Sequence, residues 1–420
     1  MILDGSSSTK PLLRFLQLLC IFWLIAFTMG LIGKYLLHEP QRYWYPLFPT
    51  DARFTDFTVF QSRFSHFHQH DFFELAGFPF TYPAPAALAF EGFYLFGSSA
   101  LGVYVGFTVA AFAAAGVFLW RAMRARGAGM LHASVLVGVT LVLSYPLWFL
   151  LDRANIETVN WLMVALGVAA YWKKKWYLAA TLFGIAISLK IFPVVFLGLL
   201  FSARRYRALS WAVIVCAIST VASTWILGPT YSIASAGIAR GLDFFRTTYA
   251  LQVHASEIGF DHSLFAIVKE VIFRHRAQGS YYLPWLNGYM CLVAAAGCIL
   301  FFWKIRLLPR ANQILALTVV SILLPPVSAD YTLVHLYTPW AVLVLIAVSR
   351  QAYQQRVAGL VFCLGCMALL MAPESYIFVD GIRVAGQLKA VVLCLLLINS
   401  LSFPFADPAV PGELLIAAAM

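Results

Sequence analysis

Charge is what this sequence lacks. Its 420 residues include 29 Lys and Arg and 18 Asp and Glu, 11% in all, against 62% apolar residues. Soluble globular chains carry about 25% charged residues, so a chain this poor in charge could not cover its surface in water. Cysteine is scarce too. The seven present all fall in apolar runs, which excludes a disulfide framework. Cys363 and Cys366 form a C-x-x-C inside one apolar segment with no second ligand pair, the setting of small buried residues rather than of a metal. The formal charge of +11 would suggest nucleic acid in a soluble protein, but no basic stripe accompanies a soluble fold here, and no nucleic-acid partner is expected. What remains is an all-α, polytopic transmembrane helical bundle.

Apolar runs alternate with basic clusters, at Lys10/Arg14, Arg121/Arg124/Arg126, Lys173/Lys174/Lys175, Arg204/Arg205/Arg207, Lys304/Arg306/Arg310 and Arg350/Arg356. No acid interrupts the internal clusters. Lys and Arg collect on the cytoplasmic side of short loops, which places the amino terminus in the cytoplasm. The first apolar run, reaching about Gly33 without a cleavage site, reads as an uncleaved span. About twelve spans satisfy the alternation: 11–33, 98–120, 131–151, 158–172, 177–189, 192–203, 209–227, 285–303, 312–326, 333–349, 357–373 and 386–403. Residues 176–203 are too few for two full crossings of about 20 residues each. They are expected to form a hairpin of half-depth helices or one reentrant element, with Lys190 and Pro193 at the tip. A lysine at membrane depth faces a water-filled cavity or an anionic partner, unless it snorkels to the interface. The segment 82–97 is apolar but short and is expected along the outer membrane surface.

Residues 1–403 thus read as a single integral-membrane domain, with 404–420 as a C-terminal tail. The long extracytoplasmic loops are 34–97, 228–284 and roughly 373–385. Loops beyond about 15 residues are usually functional or disordered. The first is rich in Phe, Tyr, Trp and His, not in the residues of disorder, so an ordered structure with juxtamembrane helices is expected.

The acids sit in the loops that alternate with the basic ones: Asp51, Asp56, Asp71 and Glu74, then Asp152 and Glu157, then Asp243, Glu257, Asp261 and Glu270, then Asp330, Glu374 and Asp380. Eight of the nine histidines fall on the same side. Carboxylates and imidazoles are the usual general acids, bases and metal ligands, and their concentration locates the chemistry outside the cytoplasm. Asp56, flanked by Phe54, Phe57 and Phe60, is a candidate general base, because an apolar setting makes an aspartate more basic; Asp51 and Asp71 are its rivals. His66 and His70 stand one helical turn apart, the spacing of the wet face of an interfacial helix before that of a shared metal.

Several stretches, taken in order, resemble a known superfamily. They are Asp56 just after the first span, Phe80-Thr81-Tyr82-Pro83 opening a short apolar helix, DRANIETVN at 152–160, ISLKIFP at 187–193, DHSLFAIVK at 261–269 and LPPVSADYTLVHLYTP at 324–339. The pattern resembles the GT-C superfamily of polyprenol-phosphate-dependent glycosyltransferases, and within it glycosyltransferase family 87, the polyprenol-phosphate-mannose-dependent mannosyltransferases. The resemblance spans about residues 10–345.

It implies the GT-C fold in a bacterial-type inner (plasma) membrane. It further implies inverting transfer of a sugar, mannose by default, from a polyprenyl-phosphate-linked donor to a lipid or glycan acceptor on the extracytoplasmic face. The family's general-base aspartate carries over to Asp56. Lys190, His335, Arg153 and Asn155 become candidates for the donor phosphate, and Tyr82, Asp71, Asp261, His262 and Asp330 for the substrate loops. The resemblance names no definite cofactor, and a divalent metal is left open. Two features depart from the family pattern: Ala154 stands where glycine is expected before Asn155, and a single His335 stands with Asp330 where relatives often carry Trp and paired histidines. A multispan transporter of a lipid-linked or small polar substrate is the alternative, with Lys190 and nearby acids as its path. It would call for repeated broken helices, which the sequence does not show.

Overall fold

The computed structural model describes residues 10–37, 53–73, 79–251, 258–269, 283–349, 357–372, 378–379, 382–383 and 385–405. The described helices are α1 (Lys10–Tyr35), α2 (Thr55–Gln61), α3 (Ala84–Tyr94), α4 (Ala100–Ala125), α5 (Met130–Leu143), α6 (Tyr145–Arg153), α7 (Glu157–Trp172), α8 (Trp176–Leu189), α9 (Leu197–Ser202), α10 (Tyr206–Leu227), α11 (Tyr231–Phe245), α12 (Leu264–Val268), α13 (Leu283–Trp303), α14 (Arg310–Leu323), α15 (Tyr337–Ala347), α16 (Val357–Leu370) and α17 (Ala385–Ser402). Phe378–Val379 and Ile382–Arg383 form the one sheet among the described residues, a two-stranded antiparallel pair.

A helix occupies each of the twelve apolar runs, yet length separates them. Six described helical segments are long and apolar enough to cross a membrane, and the pair α5–α6, bent by 42°, makes a seventh. Trp176–Leu189, Phe192–Ser202, Arg310–Leu323 and Val357–Leu370 are apolar but shorter. At about 1.5 Å per residue, a helix of some 14 residues reaches roughly 21 Å, less than the bilayer's hydrocarbon core of about 30 Å. Helix length therefore supports fewer than twelve full crossings.

The hairpin expected over 176–203 is present in short pieces. α8 stops at Leu189, Lys190 is extended (φ −150°, ψ 137°), and a 3-10 turn over Phe192–Phe196 that contains Pro193 leads into α9.

Among the described residues, the three largest apolar clusters hold the bundle. α14 is buried on two sides: Ala311, Leu315 and Val319 face a core built from α1, α4, α5, α15, α16 and α17, while Ile314, Ala316 and Leu317 face a second core built with α7, α8, α9 and α10. Some buried polar groups in these cores are paired, whereas the indole nitrogens of Trp161 and Trp340 are buried without a hydrogen-bond partner among the described residues. The Trp23 indole donates to the Ala368 carbonyl at 2.8 Å, and the Asn312 carboxamide donates to the Ser400 and Phe403 carbonyls at 2.6 and 2.9 Å. By contrast α10 and α13 leave Ile218, Trp225, Leu292 and Ile299 exposed, as helices facing lipid do.

The third core is aromatic and belongs to the first long loop. Phe57, Phe60, Phe67, Phe72 and Phe80 pack with Phe90, Tyr94 and Tyr104. The helix expected along the outer surface, α3, buries Ala86, Ala87 and Phe90 completely in this core. Gly241 of α11 lies so close to this region that a Cβ would clash with the Phe80 carbonyl oxygen. That contact holds the strand of chain leading to Tyr82.

Candidate active site

Asn155 is the hub of the site. Its carboxamide nitrogen donates to Asp56 Oδ2 at 2.7 Å and to the Tyr82 hydroxyl at 2.9 Å, and its Oδ1 accepts from the Glu157 backbone N–H at 3.0 Å and from Lys190 Nζ at 3.2 Å. All four hydrogen-bonding positions of the side chain are used, and only one orientation of the amide satisfies them. The contact to Glu157 N is an Asx turn, which starts α7. The Tyr104 hydroxyl donates to the Asn155 carbonyl, fixing the backbone as well.

At the departure from glycine before Asn155 the backbone is left-handed, a conformation that glycine favours. Ala154 is buried and left-handed (φ 50°, ψ 46°) and closes α6. Alanine accepts the conformation that glycine adopts freely, at a cost of about 1 kcal/mol. Phe54 is likewise left-handed (φ 61°) at the start of α2, with its N–H on the Asp152 carbonyl at 2.6 Å. The two strained residues bring α2 against the end of α6, and so Asp56 against Arg153.

Asp56 is therefore not isolated among phenylalanines. Phe57 and Phe60 turn into the aromatic core, while the carboxylate meets Arg153 Nη2 at 2.5 Å on Oδ1 and Asn155 on Oδ2. Behind it, Glu157 binds Lys190 through Oε2 and accepts at Oε1 from the Asn160 amide at 2.7 Å, with His335 Nε2 2.6 Å away. Lys190 Nζ lies over the rings of Tyr331 and Tyr82, 4.9 and 5.7 Å from their centroids. Exposure falls from front to back: 33% for the Arg153 side chain, 14% for Asp56, 12% for Lys190 and 2% for Glu157. Burial, followed by the Asp56 carboxylate, pushes the Tyr82 phenol well above its ordinary value. The phenol stays protonated, and because it accepts from Asn155, its own proton is available to a ligand.

A second charged cluster lies at the other end of the 3-10 turn Asp330–Leu336. Asp330 receives Lys389 Nζ at 2.9 Å and the Tyr145 hydroxyl at 2.9 Å, and His262 Nδ1 stands 3.2 Å away. Asp261 accepts the N–H groups of Ser263 and Ser328 at 3.0 Å each and pairs with Lys269 at 3.2 Å. Asp261 and Ala329 are also joined by an isolated bridge. Gly386 lets α17 reach this loop, since a Cβ there would stand 2.5 Å from the Asp261 carbonyl oxygen. His262 and Asp330 are fully buried.

The sequence candidates thus divide. Asp56, Tyr82, Arg153, Asn155, Lys190 and His335 converge in the first cluster, and Asp261, His262 and Asp330 in the second. His335 reaches the first through Glu157, not from its open side. Asp71 falls on the turn His70–Phe73, its side chain outside the described ones, and Asp51 is outside the described residues. His66 and His70 do not share a helix: each sits on its own 3-10 turn, and the left-handed His68 (φ 67°) breaks the chain between them. Among the described residues, no three His, Cys, Asp or Glu side chains are grouped to hold a metal ion. Sequence reading assigned no role to Glu157, Tyr331 or Lys389. Lys389, a lone cation inside the last apolar run, carries the same signal that marked Lys190.

The family model of glycosyltransferase family 87 matches residues 80–329, more than half of the chain. The chain belongs to glycosyltransferase family 87. The match in this family 87 chain takes in Tyr82, Arg153, Asn155, Glu157, Lys190, Asp261 and His262. Asp56 precedes it, and Asp330 and His335 follow it. No curated protein and no solved structure matches the chain. Family and apolar helices together make it a multi-pass membrane glycosyltransferase.

Proposed function

We propose that the protein moves a sugar, mannose by default, from a polyprenyl-phosphate-linked donor to a lipid or glycan hydroxyl on the extracytoplasmic face, with inversion and with Asp56 as general base. The observation that carries this reading is the partly open Asp56–Arg153–Asn155 group backed by Lys190. In the transfer, the acceptor oxygen bonds the anomeric carbon and gives its proton to Asp56, while the bond from that carbon to the phosphate oxygen breaks and its electron pair leaves with the phosphate. A carboxylate has about four lone-pair directions, so Asp56 retains room for an acceptor hydroxyl beside Arg153 and Asn155.

The leaving phosphate gains a full negative charge in this step. Cations that meet that charge as it develops favour the transition state over the bound donor. Arg153 and Lys190 supply them, with Asn155 and the Tyr82 hydroxyl as neutral donors. Glu157 holds Lys190 in place, and His335 acts through Glu157 as a positioning residue. The loop groups Asp261, His262 and Asp330 support the turn that presents Tyr331 and His335. An apolar groove between spans takes the prenyl tail.

Purified protein given radiolabelled polyprenyl-phosphate mannose, glucose and arabinose in turn should consume one label. Asp56→Asn should stop that consumption while leaving expression and folding intact. Turnover near wild type in the variant overturns the general-base assignment. Consumption of no label, together with substrate flux in liposomes, would favour a transporter instead.

A further inference from the structure

At the end of the bundle remote from Asp56, two helix turns lie beside each other. One joins α7 to α8 through Lys173, Lys174 and Lys175, and the other joins α9 to α10 through Ala203, Arg204 and Arg205. α8 runs from the first turn to Lys190, and its 14 residues separate the two ends by about 20 Å.

The turns are closed alike. Lys174 N donates to the Tyr171 carbonyl and Lys175 N to the Ala170 carbonyl, while Arg204 N donates to the Phe201 carbonyl and Arg205 N to the Leu200 carbonyl, each at 2.9 Å. This paired closure puts its last-but-one residue in the left-handed region, where glycine is favoured. Here those residues are Lys174 (φ 60°) and Arg204 (φ 55°). Both turns accept backbone strain at a position that carries a cation.

Between the turns lies a cavity of about 340 Å³ lined by Trp176, Tyr177, Arg204, Arg205, Tyr206 and Arg207. The Arg205 guanidinium lies over the Trp176 ring at 4.8 Å. Among the described residues, no carboxylate pairs with Lys174, Lys175, Arg204, Arg205 or Arg207. Helix C-termini favour cations, which accounts for basic residues at the turns but not for an aromatic-walled cavity or for the strain. Tyr177, Tyr206 and Trp211 stand 56%, 54% and 41% exposed on α8 and α10. Exposed aromatics of this kind sit at lipid headgroup level.

We propose that this cavity binds the phosphate of an anionic phospholipid headgroup, with Arg204 and Arg207 on the phosphate oxygens and the exposed aromatics at headgroup depth. The site is separate from the sugar-transfer cluster and does not depend on that reading.

The test takes full-length protein in neutral detergent, equilibrates it with equal parts of phosphatidylglycerol and phosphatidylcholine, and counts retained lipid by native mass spectrometry. Wild type should prefer phosphatidylglycerol by about tenfold, the scale expected when a few cations face an anionic lipid. Arg204→Gln/Arg207→Gln should lose the preference, while Arg121→Gln/Arg126→Gln, the same charge change at the end of α4, should keep it. Arg204→Gly separates binding from folding: it relieves the strained backbone, so the melting temperature should rise while phosphatidylglycerol retention falls. Equal retention of both lipids by wild type, equal losses in the two double variants, or unchanged retention in Arg204→Gly overturns the proposal. Displacement of the lipid by millimolar inorganic phosphate would assign the cavity to a free anion and also overturn it.

Discussion

Two charged clusters share the turn Asp330–Leu336 and differ in their access to solvent. The cluster around Asn155 grades from a one-third exposed Arg153 to a sealed Glu157, whereas the cluster around Asp330 is closed, with His262 and Asp330 fully buried. Both contain carboxylates, lysine, histidine and a tyrosine hydroxyl. Side-chain chemistry alone does not tell them apart. A group that must meet a substrate needs an open side, while a buried pair that loses one partner leaves an uncompensated charge. On the proposed reading the first cluster serves the reaction, and the second holds α6, α17 and the loops that carry Asp261 and Asp330 in one geometry.

The sharpest way to break this contrast is to remove one charged group from each. Asp56→Asn should lower the transfer rate about a hundred- to ten-thousandfold, the range of a lost general base, with little change in melting temperature. Lys389→Met should instead lower stability by about 3–5 kcal/mol by stranding Asp330. Denaturant unfolding in detergent reads this, and Lys389→Met/Asp330→Asn should recover part of the loss. If Lys389→Met melts like wild type and loses transfer, the second cluster is not the structural one.

A smaller effect sharpens the open side. Arg153→Lys keeps the charge but loses the guanidinium fork, and should slow transfer about tenfold without a change in stability. An unchanged rate would remove Arg153 from the phosphate's partners.

The smallest effect tests how the first loop is held. His68 places Nδ1 2.6 Å from the Ile226 carbonyl and Nε2 2.6 Å from Glu91, and so needs both protons to donate to both acceptors. Burial draws its pKa down, but the Glu91 hydrogen bond, the Ile226 carbonyl and the Glu91 charge outweigh it, and the net shift is upward from 6.5. A raised folded value means stability that is fully present below the unfolded pKa and is lost as pH rises through the folded one. Wild type should therefore melt slightly above His68→Gln at about pH 5.5, and the gap should close at about pH 8.5. A gap that widens with pH would contradict the charged contact.

The expectations about helices fared better than those about loops, for a physical reason. Apolar runs are local, and the boundaries at Lys10–Tyr35, Glu157–Trp172 and Ala385–Ser402 follow from composition alone. Span count did not follow, because a run's apolar character does not fix whether it is long enough to cross. In the loops, Asp56 and Lys190 were legible because each was an unusual charge for its setting. Glu157 was not, because in sequence it is an ordinary loop acid, and its role comes from Lys190 and His335, 33 and 178 residues away. The helix-turn spacing of His66 and His70 misled, since the backbone break at His68 is set by contacts to α3 and α10.

The sequence by itself determined a charge-poor helical membrane protein, the alternation of its basic clusters with apolar runs, and a short list of charged residues out of keeping with their surroundings. Hydropathy and charge asymmetry are properties of short stretches, and the membrane reads them directly. Only the tertiary structure decided which carboxylate faces which cation. Asp56 meets Arg153 across 97 residues and Asp330 meets Lys389 from a different helix. Such pairings depend on how the helices pack, through the left-handed Phe54 and Ala154 and the close approach at Gly386, and no local pattern encodes them.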